Sequence, residues 1–446
     1  MRKGIVRLVL VIAAAQLTTT VVRAGDEPLT LRETFNDGYT YRVSCSTDFS
    51  GSLQVPSGNP KDNKTKPLKV SGSSSIEYDE RVLEAASGGP VGKTLRLYRR
   101  IDFQRKIENE SQKSTIRPEV RRMVVLHQNQ HKAAFSLEGP LTWEELDLIR
   151  TDVFTPELSG LLPDHPVRIG EHWTAAPGAV KELTDMEKIE EGKIDCWFDE
   201  ITEISHRRQA RIGFKGFVRG IGQDGTNRQP LDGYILFDLT SKHISYLSLR
   251  GGLAFLERDG TNRGGIEGRF VLTRQANVEA SELTNSAVSG KRLDPNEDNS
   301  QLLYKNSQLG IQLTYPRRWH VNAVQGWQLT LDEAKGGSGI LLTVEPIERV
   351  PSGEEFLRQT KEELQRRGLK IIREERVRRV QDAPRLLEQF SLFVEEKGRD
   401  YVMSFFVGRQ AEGGLTIAAR LPARDQAALD RDVLNIVRSV VVEKPR

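Results

Sequence analysis

From about Thr30 to Gln275 the chain is dominated by strand patterns separated by turn residues, and this succession constrains the fold more than any other feature. Leu95 to Phe103, Arg121 to His127, Ile194 to Ile204, Ala210 to Val218, Gly233 to Leu239 and Ile244 to Leu249 all have β-type composition. An internal echo reinforces this. Asp224-Gly-Thr-Asn-Arg228 recurs unchanged as Asp259-Gly-Thr-Asn-Arg263, with strand-like sequence on both sides of each copy. The alternating acids of a calcium loop are missing from it, whereas Asp-Gly and Asn suit hairpin turns that need positive φ. A meander of antiparallel strands follows. One helix interrupts it near 142–153: Thr142 and Glu145 form a capping box, and Leu146, Ile149 and Val153 follow at helical spacing. Pro56 to Pro67 reads as an exposed loop.

With 446 residues, 37% hydrophobic and 28% charged, the chain can bury a large core and has room for two or three domains. Met1 to Ala24 reads as a secretory signal. Arg2, Lys3 and Arg7 precede the apolar run Leu8 to Ala15, and Val22 and Ala24 place cleavage before Gly25. The run is too short to span a bilayer, so the mature chain is expected to be extracytoplasmic (periplasmic or secreted) without a transmembrane span. Removing the signal takes away Arg2, Lys3, Arg7 and Arg23 and no acid, so the formal charge falls from +3 to −1. The basic pI of 8.7 therefore belongs to the precursor and gives no reason to expect nucleic acid as a partner. In an oxidising compartment Cys45 and Cys196 can close a disulfide across a loop of about 150 residues, or remain two buried free thiols.

Ala276 to Ser300 loses periodicity and fills with Asn, Ser, Glu and Asp, as a polar linker would. Beyond it, residues 301–446 show short strands at Gly310 to Tyr315, Trp327 to Asp332 and Gly339 to Glu345. A helix capped by Ser352 and Glu355 and ended by Gly368 follows, then four strands within 369–420 and a closing helix from near Pro422. This order, with Tyr304-Lys-Asn306 and the corner Tyr315-Pro316-Arg317-Arg318-Trp319, resembles the PsbP-like family. The resemblance implies an α/β/α sandwich on an antiparallel sheet, a non-catalytic binding or assembly role, and no catalytic residue to carry over; Tyr315, Pro316 and Trp319 would be structural. The expected class is α+β: a large antiparallel β-rich domain at 25–275, the linker 276–300 and the PsbP-like domain 301–446.

Residues suited to hydrolysis are scattered. No nucleophile elbow or His-Glu-x-x-His exists, and Gly336-Gly-Ser-Gly339 fits a hairpin loop. His127 and His131 could face each other on a hairpin but lack a third metal ligand. His165 and His172 flank a turn beside Asp164 and Glu171, and Glu144, Glu145 and Asp147 favour a helix start. The basic stretch Arg358 to Arg385 has no interleaved aromatics and reads as a guarded edge strand. The expectation is an exported protein, not an enzyme and without cofactors, that binds or assembles with an unknown partner in the cell envelope. Two alternatives stand beside it: a carrier holding a lipid-like ligand in a cavity lined by Leu146, Ile149 and Phe237, and a hydrolase centred on His165 or His172.

Overall fold

The computed structural model describes residues 27–56, 65–86, 89–128, 131–223, 225–257, 259–381, 383 and 385–443, with the side chains of residues 128 and 131 left aside. The expected signal segment and most of the loop expected after Pro56 lie outside the described residues.

The first half opens with β1 (Thr40–Pro56), β2 (Thr65–Ala85), β3 (Val91–Ile107), β4 (Glu110–Thr115), β5 (Arg122–Gln128), β6 (His131–Ser136) and the short β7 (Leu141–Thr142). Helix α1 (Trp143–Arg150), a 3-10 segment (Thr155–Leu161), β8 (His172–Thr174) and α2 (Pro177–Thr184) follow. The long strands β9 (Met186–Ile204), β10 (Arg207–Gly222), β11 (Gly225–Asp238), β12 (His243–Leu256) and β13 (Asn262–Ala276) complete it. Twelve of these strands form one sheet in the order β6-β5-β3-β2-β1-β13-β12-β11-β10-β9-β8, with β4 on the end of β3. Every pair in it is antiparallel. Alternation sets the faces: Tyr41, Val43 and Cys45 are buried while their neighbours Arg42 and Ser44 are not. The buried face packs on Leu146, Ile149, Phe154 and Leu158 of the helical segment. The described part of the first echo copy (Gly225–Arg228) opens β11 at the β10–β11 hairpin and the second copy stands at the β12–β13 hairpin, with the β11–β12 hairpin between them. In the second, Asp259 Oδ1 accepts from Thr261 N at 2.9 Å and Gly260 takes φ +88°.

The second half contains β14 (Gln301–Asn306), β15 (Ile311–Pro316), β16 (Trp319–Gln325), β17 (Gln328–Glu333), β18 (Gly339–Glu345), α3 (Gly353–Arg366), β19 (Lys370–Arg379), β20 (Leu386–Glu396), β21 (Arg399–Gln410), β22 (Gly413–Pro422), α4 (Gln426–Ser439) and β23 (Val441–Val442). Seven strands form an antiparallel sheet in the order β16-β17-β18-β22-β21-β20-β19. A smaller sheet, β23-β15-β14-β7, joins the halves: Leu302 and Leu303 pair in parallel with Leu141 and Thr142.

The expected α+β class with an α/β/α sandwich is corrected by these proportions. Strands hold 59% of the described residues and helices 16%, and the chain is β-rich. The periodicity reading weighed elements rather than their lengths. The long strands of the first half, β1–β3 and β9–β13, run to 14–21 residues each, while α1 and α2 have eight residues each. Nor is 276–300 a free tether. Ala280, Leu283 and Val288 pack on Leu95, Val124 and Phe135, Arg81 and Arg122 donate to the carbonyls of Leu283 and Ala287, and Lys93 meets Asp294 at 2.6 Å.

Under the sheet, Arg96 is fully buried between two carboxylates, 2.9 Å from Glu80 Oε1 and 2.6 Å from Asp152 Oδ2. Thr94 and Tyr41 also donate to Glu80, and Tyr98 donates to Asp152. Removing one partner of such a set leaves charge stranded in a dry core, so Arg96→Ala is expected to destabilise the fold by about 3–5 kcal/mol, read from urea unfolding. Glu145 supplies a pH test. Burial works against its charge, but the Arg117 side chain and the backbone amides of Thr142 and Arg117 outweigh burial and hold the carboxyl below its ordinary 4.5. A depressed native pKa gives stability that is present above 4.5 and lost as pH falls through the native value. Glu145→Gln should therefore cost about 2 kcal/mol at neutral pH, and the gap from the unsubstituted protein should close as unfolding is measured at successively lower pH below 4.5.

Candidate functional site

Helix α3 starts cleanly because Ser352 Oγ accepts from Glu355 N at 3.2 Å. Its entry presses against the sheet: a Cβ on Gly353 would meet Val377 Cγ1 at 2.6 Å, and Gly353 N donates to Glu388. Phe356 then meets Phe390 and Phe405 edge-on at 5.6 and 5.8 Å, and those two rings stack at 4.9 Å. With Leu364 and Leu392 they make a separate small core between α3 and strands β20 and β21.

The helix covers only that side of the sheet face. Between α3 and strands β17, β18, β22 and β21 lies an open groove of about 1090 Å³. Its floor carries Leu341, Met403, Phe405 and Ala418, and α3 contributes Phe356, Gln359 and Glu363. Leu341 is 37% exposed in the middle of a strand whose neighbours Ile340 and Leu342 are buried. The charges that α3 and β22 bring to the rim are paired: Glu363 with Arg366 and Arg367 at 2.8 and 2.6 Å, and Arg420 with Glu396 at 2.5 Å, while Asp332 and Glu333 of β17 accept from Asn322 and the Lys335 amide. The Gly336–Gly339 stretch closes one end as the β17–β18 hairpin, with Gly336 and Gly337 at φ +80° and +90°. Such a surface can bury apolar side chains of a partner while its paired charges set the approach.

The residues weighed for chemistry stay apart. His165 is exposed and pairs with its neighbour Asp164 at 2.6 Å, while His172 sits on β8 with its ring 6.0 Å from Trp197. His127 stacks on Phe154 at 4.7 Å and lies 3.7 Å from Glu157; the His131 side chain is outside the description. Among the described residues no group of three or more His, Cys, Asp or Glu could hold a metal ion. Leu146, Ile149 and Phe237, expected around an apolar ligand, are packed within the main core instead of bordering a cavity. Tyr315 and Trp319 are buried, and Trp319 Nε1 donates to Asp432 Oδ2 at 2.9 Å, fastening the Pro316 corner to α4. The basic stretch holds β19, which is an edge of the seven-stranded sheet. The groove escaped sequence reasoning. Its one signal is the unbroken apolar run Ile340-Leu341-Leu342, which puts an apolar side chain on each face of β18.

Cys45 and Cys196 are both free and buried, on β1 and β9 with four strands between them in the sheet, the second of the two alternatives open from sequence. Burial pushes the Cys196 thiol up to about 12 and raises Cys45 too. Neither thiol should react with a maleimide under native conditions near pH 7, whereas both should label in denaturant without prior reduction. Native labelling, or denaturant labelling that needs a reductant, would contradict this arrangement.

No family model matches the chain, and no curated protein matches it. Among solved structures, the PsbP protein of the cyanobacterium Synechocystis aligns with 32% of this chain and 92% of its own at 13% identity and a TM-score of 0.26. The Ran-binding protein Mog1p of Saccharomyces cerevisiae aligns with 32% and 96% at 10% identity and 0.25. Lipovitellin aligns with 56% of this chain and 26% of its own at 8% identity and 0.31.

Proposed function

We propose that the protein is an exported, non-catalytic binding or assembly component of the cell envelope, and that the groove beside α3 receives a segment of its partner. The carrying observation is the exposed apolar floor around Leu341 beside a helix whose lining charge, Glu363, is already paired. Burying a side chain such as Leu against water is worth about 2 kcal/mol, so a strand residue left open on a sheet face is a cost unless something covers it. Export rests on the basic start, apolar run and small residues of 1–24. The finer assignment of the last third to a PsbP-like domain rests on the Tyr315-Pro316-x-x-Trp319 corner, and its implied assembly role agrees with a groove that binds. Among the described residues no helix is long and apolar enough to cross a membrane.

A photo-crosslinking residue at Leu341 should trap one discrete protein adduct in the native envelope, and the same probe at Ile372, exposed on the guarded edge strand, should not. Phe405 lies beneath the groove and is left intact; Thr343→Arg at the floor should abolish the adduct while shifting stability by less than about 0.5 kcal/mol. Equal adducts from both positions, or an adduct indifferent to Thr343→Arg, would refute the groove as the binding site.

A further inference from the structure

A second cavity, of about 510 Å³, sits at the seam between the two halves and is separate from the groove. The parallel pairing of β7 with β14 creates it. By setting Leu303 opposite Thr142, it brings Trp143 and Glu144 of the first turn of α1 against Tyr304 and Lys305 of β14. Tyr315 from the end of β15 and His320 from β16 complete the lining. Four rings separated by up to 177 positions in the chain thus converge on one pocket. Trp143 remains 38% exposed there and meets the His320 ring edge-on at 5.7 Å, so it is not spent on filling a core.

The charges in this pocket are unequal in their freedom. Lys305 is paired with Glu443 at 3.4 Å. The positive end of α1 is answered by Glu145, which accepts from Thr142 N at 2.8 Å inside the capping box. Glu144, exposed at the rim, makes no ion pair among the described residues. Tyr315 lies at the back of the pocket at 3% exposure, and burial, then the nearby Tyr304, push its phenol up to about 12, so it adds no negative charge there. An exposed, electron-rich indole beside one unanswered carboxylate attracts a cation that is bulky and poorly hydrated. We infer that the seam pocket is a binding site for a small organic cation of the quaternary or alkylated ammonium class.

Choline and its uncharged isostere 3,3-dimethylbutan-1-ol, titrated calorimetrically into the full chain, separate charge recognition from simple apolar filling. Choline should bind saturably and at least about tenfold tighter than the isostere. Trp143→Ala and Glu144→Gln should each weaken choline by about fivefold or more, whereas Trp143→Phe should retain most of the affinity. Both positions are at the surface, and unchanged thermal unfolding of Glu144→Gln would confirm that the pocket's frame is intact. Equal binding of the isostere, choline affinity indifferent to both substitutions, or no saturable heat would each overturn the assignment. Phosphatidylcholine vesicles then identify the source of the cation. Retention competed by free choline marks a lipid headgroup, and choline binding without retention marks a free solute; both agree with the site.

Discussion

The buried charge set around Arg96 decides how the first half must close. Its guanidinium bridges Glu80 on β2 and Asp152 just after α1, and it lies 4.0 Å above the Tyr78 ring. Two acids and one base in a core leave an imbalance, and burial raises the Asp152 carboxyl in response, with Arg96 opposing. The hydroxyls of Thr94, Tyr41 and Tyr98 then supply hydrogen bonds that water would otherwise make. Such a set tolerates one geometry, in which the α1 region is drawn onto strands β1 to β3. An all-apolar contact could slide there; this one cannot without stranding an ion.

That fixed position is transmitted to the second half. Once α1 is held, β7 immediately before it is held as well, and its pairing with β14 makes the start of the C-terminal half an extension of the N-terminal one. Leu302, Ile311 and Trp319 belong to the same continuous core as Leu146 and Phe154. The 276–300 segment does not relax this, because its few apolar residues and the guanidinium donors of Arg81 and Arg122 lay it along the outer face of the large sheet. A chain that reads as two units and a tether is thereby built around one shared core.

The legible parts were those governed by local rules. Period-2 patterning located most of the strands, the Thr142–Glu145 box and the Ser352 cap marked helix starts, and the echoed Asp-Gly-Thr-Asn-Arg marked two hairpins. What was not legible depends on pairings distant in the chain. Nothing near Leu141 announces a partner at Leu302, so neither the seam nor its pocket could be anticipated. The polar look of 276–300 hid Leu283 and Val288, whose spacing has no period because they dock on a surface rather than form an element. The class expectation failed on length, since periodicity shows that a strand exists more clearly than where it stops.

The groove and the seam pocket share a physical origin. In each, a helix too short for the sheet beside it leaves side chains that alternate patterning has already made apolar or aromatic. Helix α3, at 14 residues, rests on β20 and β21 and stops short of β18, exposing Leu341; α1, at eight residues, begins at the seam and leaves Trp143 open. Surface strands ordinarily place polar residues where no layer covers them. Apolar side chains at these two uncovered places leave hydrophobic area in water that Thr or Lys would not. Both openings are the surfaces on which the proposed binding would act.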